Sequence, residues 1–192
     1  MKIYTRKGDD GTTGLLFGGR VAKDSVVIAA NGAVDEAQAA LGVVRSHVER
    51  GSELDGLLVR VERDLYVLMA ELATAEANRR KLQPGVSLVT EEMVSSLEGR
   101  IDDLTGRFPP LKDFVIPGHD EVAAGLDVAR TVVRRAERAS IGASPPGSLV
   151  VQYLNRLSDL VWTMARWQEQ GDSLLSRRVG PAPAAGAPEA AR

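Results

Sequence analysis

The residues near the N-terminus whose types and spacing could do chemistry are Thr5-Arg6-Lys7-Gly8-Asp9-Asp10-Gly11-Thr12-Thr13-Gly14, followed by Gly18-Gly19-Arg20-Val21-Ala22-Lys23-Asp24. Glycine lets backbone N–H groups turn toward an anion with no Cβ in the way, and cationic side chains add charge to the cradle. The composition therefore suits a polyphosphate. The glycines at 8, 11 and 14 are three apart, so G-x-G-x-x-G fails, and G-x-x-x-x-G-K-[ST] is absent. A flexible arm with charged turns is the other reading that these residues allow.

A second candidate lies further along, where Arg130, Arg134, Arg135 and Arg138 crowd into nine residues. In a helix, Arg130, Arg134 and Glu137 share one stripe, with Asp127 one step earlier. Arginines this close repel unless anions or carboxylates sit between them. Either the face is solvated with Glu137 as internal partner, or the guanidinium forks clamp phosphate oxygens. Asp35-Glu36 interrupts an otherwise apolar stretch, and a carboxylate there is either exposed or buried against a cation. An arginine of the cluster, from the same or another subunit, would serve. Phe114, in the loop Asp113-Phe-Val-Ile-Pro-Gly118, either staples that loop to the core or lines a pocket for a large flat ligand. Asn155, Arg156 and Asp159 sit among the apolar positions of Tyr153-Leu-Asn-Arg-Leu-Ser-Asp159.

The elements that must position these groups read as helices. Expected spans are Ser25–Glu49 with Gly51 beyond its end, Asp55–Arg79, Thr90–Thr105, Asp120–Ile141, and a fifth after Pro145-Pro146-Gly147. The second carries Leu58, Val61, Leu65, Leu68, Leu72 and Ala75 in steps of three and four. The fourth repeats that rhythm with Val122, Leu126, Ala129, Val133, Ala136 and Ser140, and the fifth with Leu149, Tyr153, Leu157, Leu160, Met164 and Trp167. Strand signals are weak, and only Leu111–Pro117 looks extended. An all-α bundle of five helices is the expected fold, with an extended N-terminal segment. One domain covers residues 1–179, and the Ala-, Pro- and Gly-rich tail 180–192 reads as disordered.

The chain has 192 residues, enough to bury a substantial core. A formal charge of −2 gives no field for nucleic acid or an anionic membrane. Cysteine is absent, which removes disulfides and thiolate chemistry. The only histidines are His47 and His119, too few for a histidine-rich metal centre. No 18-residue apolar run and no apolar leader occur, so a soluble cytoplasmic protein is expected.

Taken in order, Thr5–Gly14 with Arg20–Asp24, then Gly32-Ala-Val-Asp-Glu36, then Asp113–Gly118 leading to Ala129-Arg-Thr-Val-Val-Arg-Arg-Ala-Glu-Arg138, then Tyr153–Asp159, resemble the PduO-type ATP:cob(I)alamin adenosyltransferases. The resemblance spans roughly residues 3 to 170. It implies a homotrimeric five-helix bundle with active sites between adjacent subunits. It further implies transfer of the 5′-deoxyadenosyl group of ATP to the cobalt of cob(I)alamin, giving adenosylcobalamin and triphosphate, with Mg2+ accompanying ATP. Thr5, Arg6, Lys7, Gly8, Thr13, Gly14 and Lys23 would bind ATP from the N-terminal segment. Arg134, Arg135, Ala136, Glu137, Arg138 and Asn155 would complete the nucleotide site. Phe114 would pack beneath the corrin and displace the lower axial base, and Asp35 would pair with Arg130 across the subunit interface. A reductase and an adenosylcobalamin-dependent mutase are the implied partners, the mutase as recipient of the product.

The chain departs from the family pattern at three places. His119-Asp120 follows Gly118 where a second glycine is common, Asp127 stands where His is common, and the loop 144–148 is short. Two other functions stay open on the residues. A carrier that only delivers adenosylcobalamin would not need both the N-terminal cradle and Arg134. A trimeric nucleotide-binding protein without a corrin site would not need Phe114. The arm is expected to order when ATP binds.

Overall fold

A computed structural model describes residues 3–177. Five α-helices dominate it: α1 Val26–Arg45, α2 Glu53–Leu72, α3 Glu91–Thr105, α4 Glu121–Ile141 and α5 Val150–Gln168. A 3-10 turn spans Glu76–Lys81, and two short strands, β1 Thr12–Gly14 and β2 Arg20–Ala22, precede α1. The expected tail from Gly180 lies outside the described residues.

Three of the five helix starts follow from a capping residue in the sequence. Ser52, Thr90 and Asp120 cap α2, α3 and α4 by accepting from the backbone N–H of Asp55, Met93 and Ala123. Glu53, Glu91 and Glu92 add negative charge where the helix dipole is positive. Small residues on α1 bring helices close: Ala30, Val34, Ala37 and Leu41 are wholly buried. α1 and α4 run antiparallel. Gly125 faces Val44, where an added Cβ would come within 3.0 Å of a Val44 methyl. Ten residues further along α4, Arg135 pairs with Glu36. Leu126, Val133, Leu154, Leu157, Val161 and Met164 fill the α4–α5 seam. No described helix is long and apolar enough to cross a membrane.

The five helices match the periodicity, and their ends move. α1 stops at Arg45 rather than Glu49, and Gly51, at φ +82°, sits in the following turn. α2 stops at Leu72 rather than Arg79, so Ala75 of the expected stripe lies beyond it. The cause is local. The Thr74 hydroxyl donates to the Ala70 carbonyl, and the freed Ala73 carbonyl accepts from Leu16 N–H instead. The N-terminal segment is correspondingly a β-hairpin rather than simply extended, with Thr12 opposite Ala22 and Gly14 opposite Arg20. Within Leu111–Pro117, only Val115 makes a strand-like bridge, to Leu175.

Glu71 holds one end of the bundle together. It is 1% exposed and accepts from Arg79 (2.9 Å), the Ser148 hydroxyl (2.7 Å) and Val89 N–H (2.8 Å). A buried carboxylate is tolerable only when so fully partnered.

Candidate active site

The hairpin organises the arm through side chains. Asp10 accepts from the Thr12 N–H (2.9 Å) and hydroxyl (2.8 Å). Those bonds, with the nearby Arg20 guanidinium, hold the Asp10 carboxyl below its usual range. Arg20 donates to the Thr12 hydroxyl at 3.0 Å and to the Lys7 carbonyl, closing the turn that carries Thr5, Arg6, Lys7 and Gly8. Gly18 and Gly19 have φ of +100° and +97°, a region that disfavours any side chain, and they return the chain into β2. Lys23 closes the cradle: its Nζ would lie 3.1 Å from a Cβ placed on Gly8. Only glycine lets that ammonium approach so closely. Thr13 pairs with Val21 in the ladder, beside Gly14.

The hairpin tip is fixed to the end of α2. Leu16 N–H donates to the Ala73 carbonyl at 2.8 Å, and the Asn78 amide reaches the Phe17 carbonyl at 3.3 Å. Among the described residues, no hydrogen bond or ion pair joins the arm to α4 or α5.

The arginine cluster divides by face. Arg134, Arg135 and Arg138 are exposed, and Ala136 is wholly buried in the core beneath them. Arg134 and Arg138 make no ion pair among the described residues, whereas Arg135 pairs with Glu36. Glu137 and Asn155 meet: the Asn155 amide donates to Glu137 Oε1 at 3.0 Å and accepts from Arg156 at 2.9 Å. Arg156 in turn binds Glu98 at 2.8 Å. An amide held between a carboxylate and a guanidinium is fixed in orientation. Two uncompensated guanidinium groups one turn apart, beside that fixed amide, form a surface that attracts phosphate.

Phe114 is 83% exposed at the mouth of a cavity of about 590 Å³. Leu111, Pro117, Arg130, Trp162 and Arg166 also line it. A hollow with apolar walls and charged groups of both signs, Asp113 and Asp127 included, suits a large flat ligand with polar edges. Asp35 is exposed on α1, in a separate open cavity of about 600 Å³ that Tyr66 also lines. It does not meet Arg130 within one chain. Arg130 instead lies 3.6 Å from Asp127, which accepts from Arg166 at 2.6 Å. His119 is exposed, immediately before the capping residue Asp120.

Three contributors escaped the sequence reading. Trp162 and Arg166 line the Phe114 cavity from α5, and Arg20 braces the arm. The i, i+3 spacing of Arg166 and Glu169, with Asp127 amid apolar neighbours, was the available signal for the buried cluster. Among the described residues, no group of three or more acidic or histidine side chains could cage a metal ion. Glu137 is the carboxylate that stands among the exposed arginines of α4.

The family model described as cobalamin adenosyltransferase matches residues 3–168. A corrinoid adenosyltransferase of Mycobacterium tuberculosis is 39% identical over 184 residues, covering 93% of this chain and 94% of that protein. The corrinoid adenosyltransferase PduO of Citrobacter freundii is 37% identical over 172 residues, spanning 88% of this chain and 50% of that longer one. Among solved structures, a variant PduO-type ATP:corrinoid adenosyltransferase from Lactobacillus reuteri, complexed with cobalamin and ATP, is similar with a TM-score of 0.80 and 31% identity. It covers 92% of this chain and 100% of that one.

Proposed function

This chain belongs to the cobalamin adenosyltransferase family and adenosylates cobalamin with ATP; from that premise we propose that it works as a homotrimer whose sites each combine the arm of one subunit with α4 and α5 of the next. One observation carries the reading. The two candidate halves of the nucleotide site share no hydrogen bond or ion pair within a chain among the described residues: the arm is tied to the end of α2, while Arg134 and Arg138 are exposed on α4 without ion-pair partners. Asp35 and Arg130 likewise make no ion pair with each other within the chain among the described residues. A second copy supplies both missing partners.

In the proposed reaction, the electron pair on cobalt(I) attacks C5′ of ATP. A cobalt–carbon bond forms, the C5′–oxygen bond breaks, and triphosphate leaves with the bonding pair. Cobalt(I) is itself the nucleophile, so the protein needs no base. Its tasks are to align cobalt with C5′ and to stabilise charge on the leaving triphosphate. Arg6, Lys7 and Lys23 from the arm, facing Arg134 and Arg138 from the neighbour, serve the second task. Backbone N–H groups of Gly8 and Gly14 add donors without side-chain bulk, and Thr13 adds its hydroxyl. Glu137, on the same stripe as the arginines, would help hold a magnesium ion brought in with ATP, and that ion would neutralise part of the phosphate charge. Phe114 and Trp162 form the apolar wall against the corrin. Phe114 excludes the lower axial base, which eases reduction of cob(II)alamin. The enzyme acts in the cytoplasm, draws electrons from a reductase, and passes adenosylcobalamin to a mutase.

The test is anaerobic mixing of protein, ATP, magnesium and chemically reduced cobalamin. The expected result is the adenosylcobalamin spectrum with intact triphosphate as coproduct; release of diphosphate or an unchanged spectrum contradicts the reading.

A further inference from the structure

We propose that Arg166, Asp127, Glu169 and Ser173 are positioning residues for the reaction, setting the place of the Phe114 loop from inside the bundle through the strap that follows α5. The proposal rests on the corrin-side reading of Phe114 given above. The strap, residues 172–177, lies alongside that loop. Ile116 N–H donates to the Leu174 carbonyl at 2.7 Å, and Ser176 N–H donates to the Phe114 carbonyl at 2.7 Å, on either side of the Val115–Leu175 bridge. The Ser176 hydroxyl also reaches Asp113 at 3.1 Å, and Asp113 accepts from Phe114 N–H at 2.7 Å. The backbone of Phe114 is therefore held at both its N–H and its carbonyl, while its ring is left 83% exposed.

The strap is in turn anchored to buried charge. The Ser173 hydroxyl donates to Glu169, and Glu169 accepts from Arg166 at 2.8 Å. Arg166 also donates to Asp127 at 2.6 Å, and its guanidinium lies 5.7 Å from the centre of the Trp162 ring. Arg166, Glu169 and Asp127 are 2%, 1% and 5% exposed. Two buried carboxylates face one buried guanidinium, and Arg130 completes the balance at 3.6 Å from Asp127. Apolar side chains of similar volume would stabilise such a site at least as well, so stability alone is a poor reason for this cluster. What the charges do fix is direction: each must point at its partner. They thereby set Trp162, Arg130 and Phe114, all lining the one cavity, relative to one another. A glycine is needed where the strap leaves the helix, since Gly171 has φ +95° and a Cβ there would meet Pro109 at 3.3 Å.

The experiment compares Ser173→Ala, Ser173→Thr, Glu169→Gln and Phe114→Ala with the unaltered enzyme. Two readouts are taken: the ratio of turnover with cob(II)alamin plus reductant to turnover with pre-reduced cob(I)alamin, and the electron-paramagnetic signature of axial nitrogen on bound cob(II)alamin with ATP. Loss of one hydrogen bond to a charged group allows about a tenfold shift in the loop equilibrium. Ser173→Ala should therefore lower the ratio by about tenfold and restore the axial-nitrogen signal, with KM for ATP unchanged. Ser173→Thr, which keeps the hydroxyl, should behave as the unaltered enzyme in both readouts. Should Glu169→Gln fail to fold, the two Ser173 variants decide. Ser173→Ala with an unaltered ratio and spectrum, while Phe114→Ala lowers the ratio and shows the axial-nitrogen signal, overturns this proposal alone. Phe114→Ala behaving as the unaltered enzyme overturns the reading beneath it as well.

Discussion

Replacing Phe114 with alanine separates catalysis from stability, because the ring lies in the open. Less than a fifth of its surface is covered, at 83% exposure. Full burial of a phenylalanine side chain is worth about 1.5–3 kcal/mol, so the covered part contributes only about 0.3–0.6 kcal/mol to the fold. For a chain of this size that is a fall in Tm of about 1–2 °C. The rest of the ring is free to be buried against the corrin, where the same coefficient gives about 1.2–2.5 kcal/mol, or about eightfold to seventyfold in the population of base-displaced cofactor. Turnover with cob(II)alamin should therefore drop by about that factor, while turnover with pre-reduced cob(I)alamin drops by less than about threefold. The assay is anaerobic formation of adenosylcobalamin with each substrate, beside a thermal melt. Equal loss with both substrates, or a fall in Tm above about 5 °C, would refute the reasoning and make the ring a structural staple.

Arg134→Ala should leave the melt unchanged, since the side chain is exposed, yet lower kcat/KM for ATP by about a hundredfold, the usual loss for one donor to a developing charge; unaltered kinetics would remove it from the site. Asp35→Ala should weaken cobalamin binding or dissociate the trimer, read by cobalamin titration and sedimentation. Glu71→Ala strands Arg79, Ser148 and Val89 N–H and should cost about 3 kcal/mol in urea melts, whereas a loss under about 1 kcal/mol would mean that water replaces the carboxylate. Burial raises the Asp64 carboxyl above its ordinary range, against the Tyr153 hydroxyl at 2.9 Å. A raised acid favours the fold when protonated and loses that contribution as pH rises through the folded value. Asp64→Asn should then raise Tm at neutral pH, a gain that vanishes as pH falls below the ordinary aspartate value; a pH-independent difference contradicts this.

The helices were legible because their apolar residues repeat every three or four positions, and burial of Leu58, Val61, Leu65, Leu68 and Leu72 follows that stripe. The hairpin was not, because strands of three residues are too short to show alternation. Its register depends on Arg20 reaching back to Thr12, a tertiary contact. The end of α2 was missed for a related reason: the pattern runs on to Ala75, but the backbone at Ala73 is claimed by Leu16. At the site, Phe114 stood out as an aromatic in a loop. The charge cluster around Arg166 did not, since its signal, an i, i+3 pair near a helix end and an Asp among apolar residues on another helix, does not say that the two meet. Only the packing of α4 against α5 brings Asp127 to it.

The account turns on a nucleotide site divided between subunits, and mixing two inactive chains tests that most directly. Lys23→Ala removes the arm ammonium that lies against Gly8, and Arg134→Ala removes the guanidinium of the opposing wall. In a closed ring of three, random co-assembly restores an intact pair at about one interface in four. The account predicts recovery of about a quarter of the unaltered activity from equimolar mixed trimers, with each variant alone inactive. Activity that stays at the level of the separate variants, in trimers shown to be mixed, would place both residues in one subunit's site and contradict it.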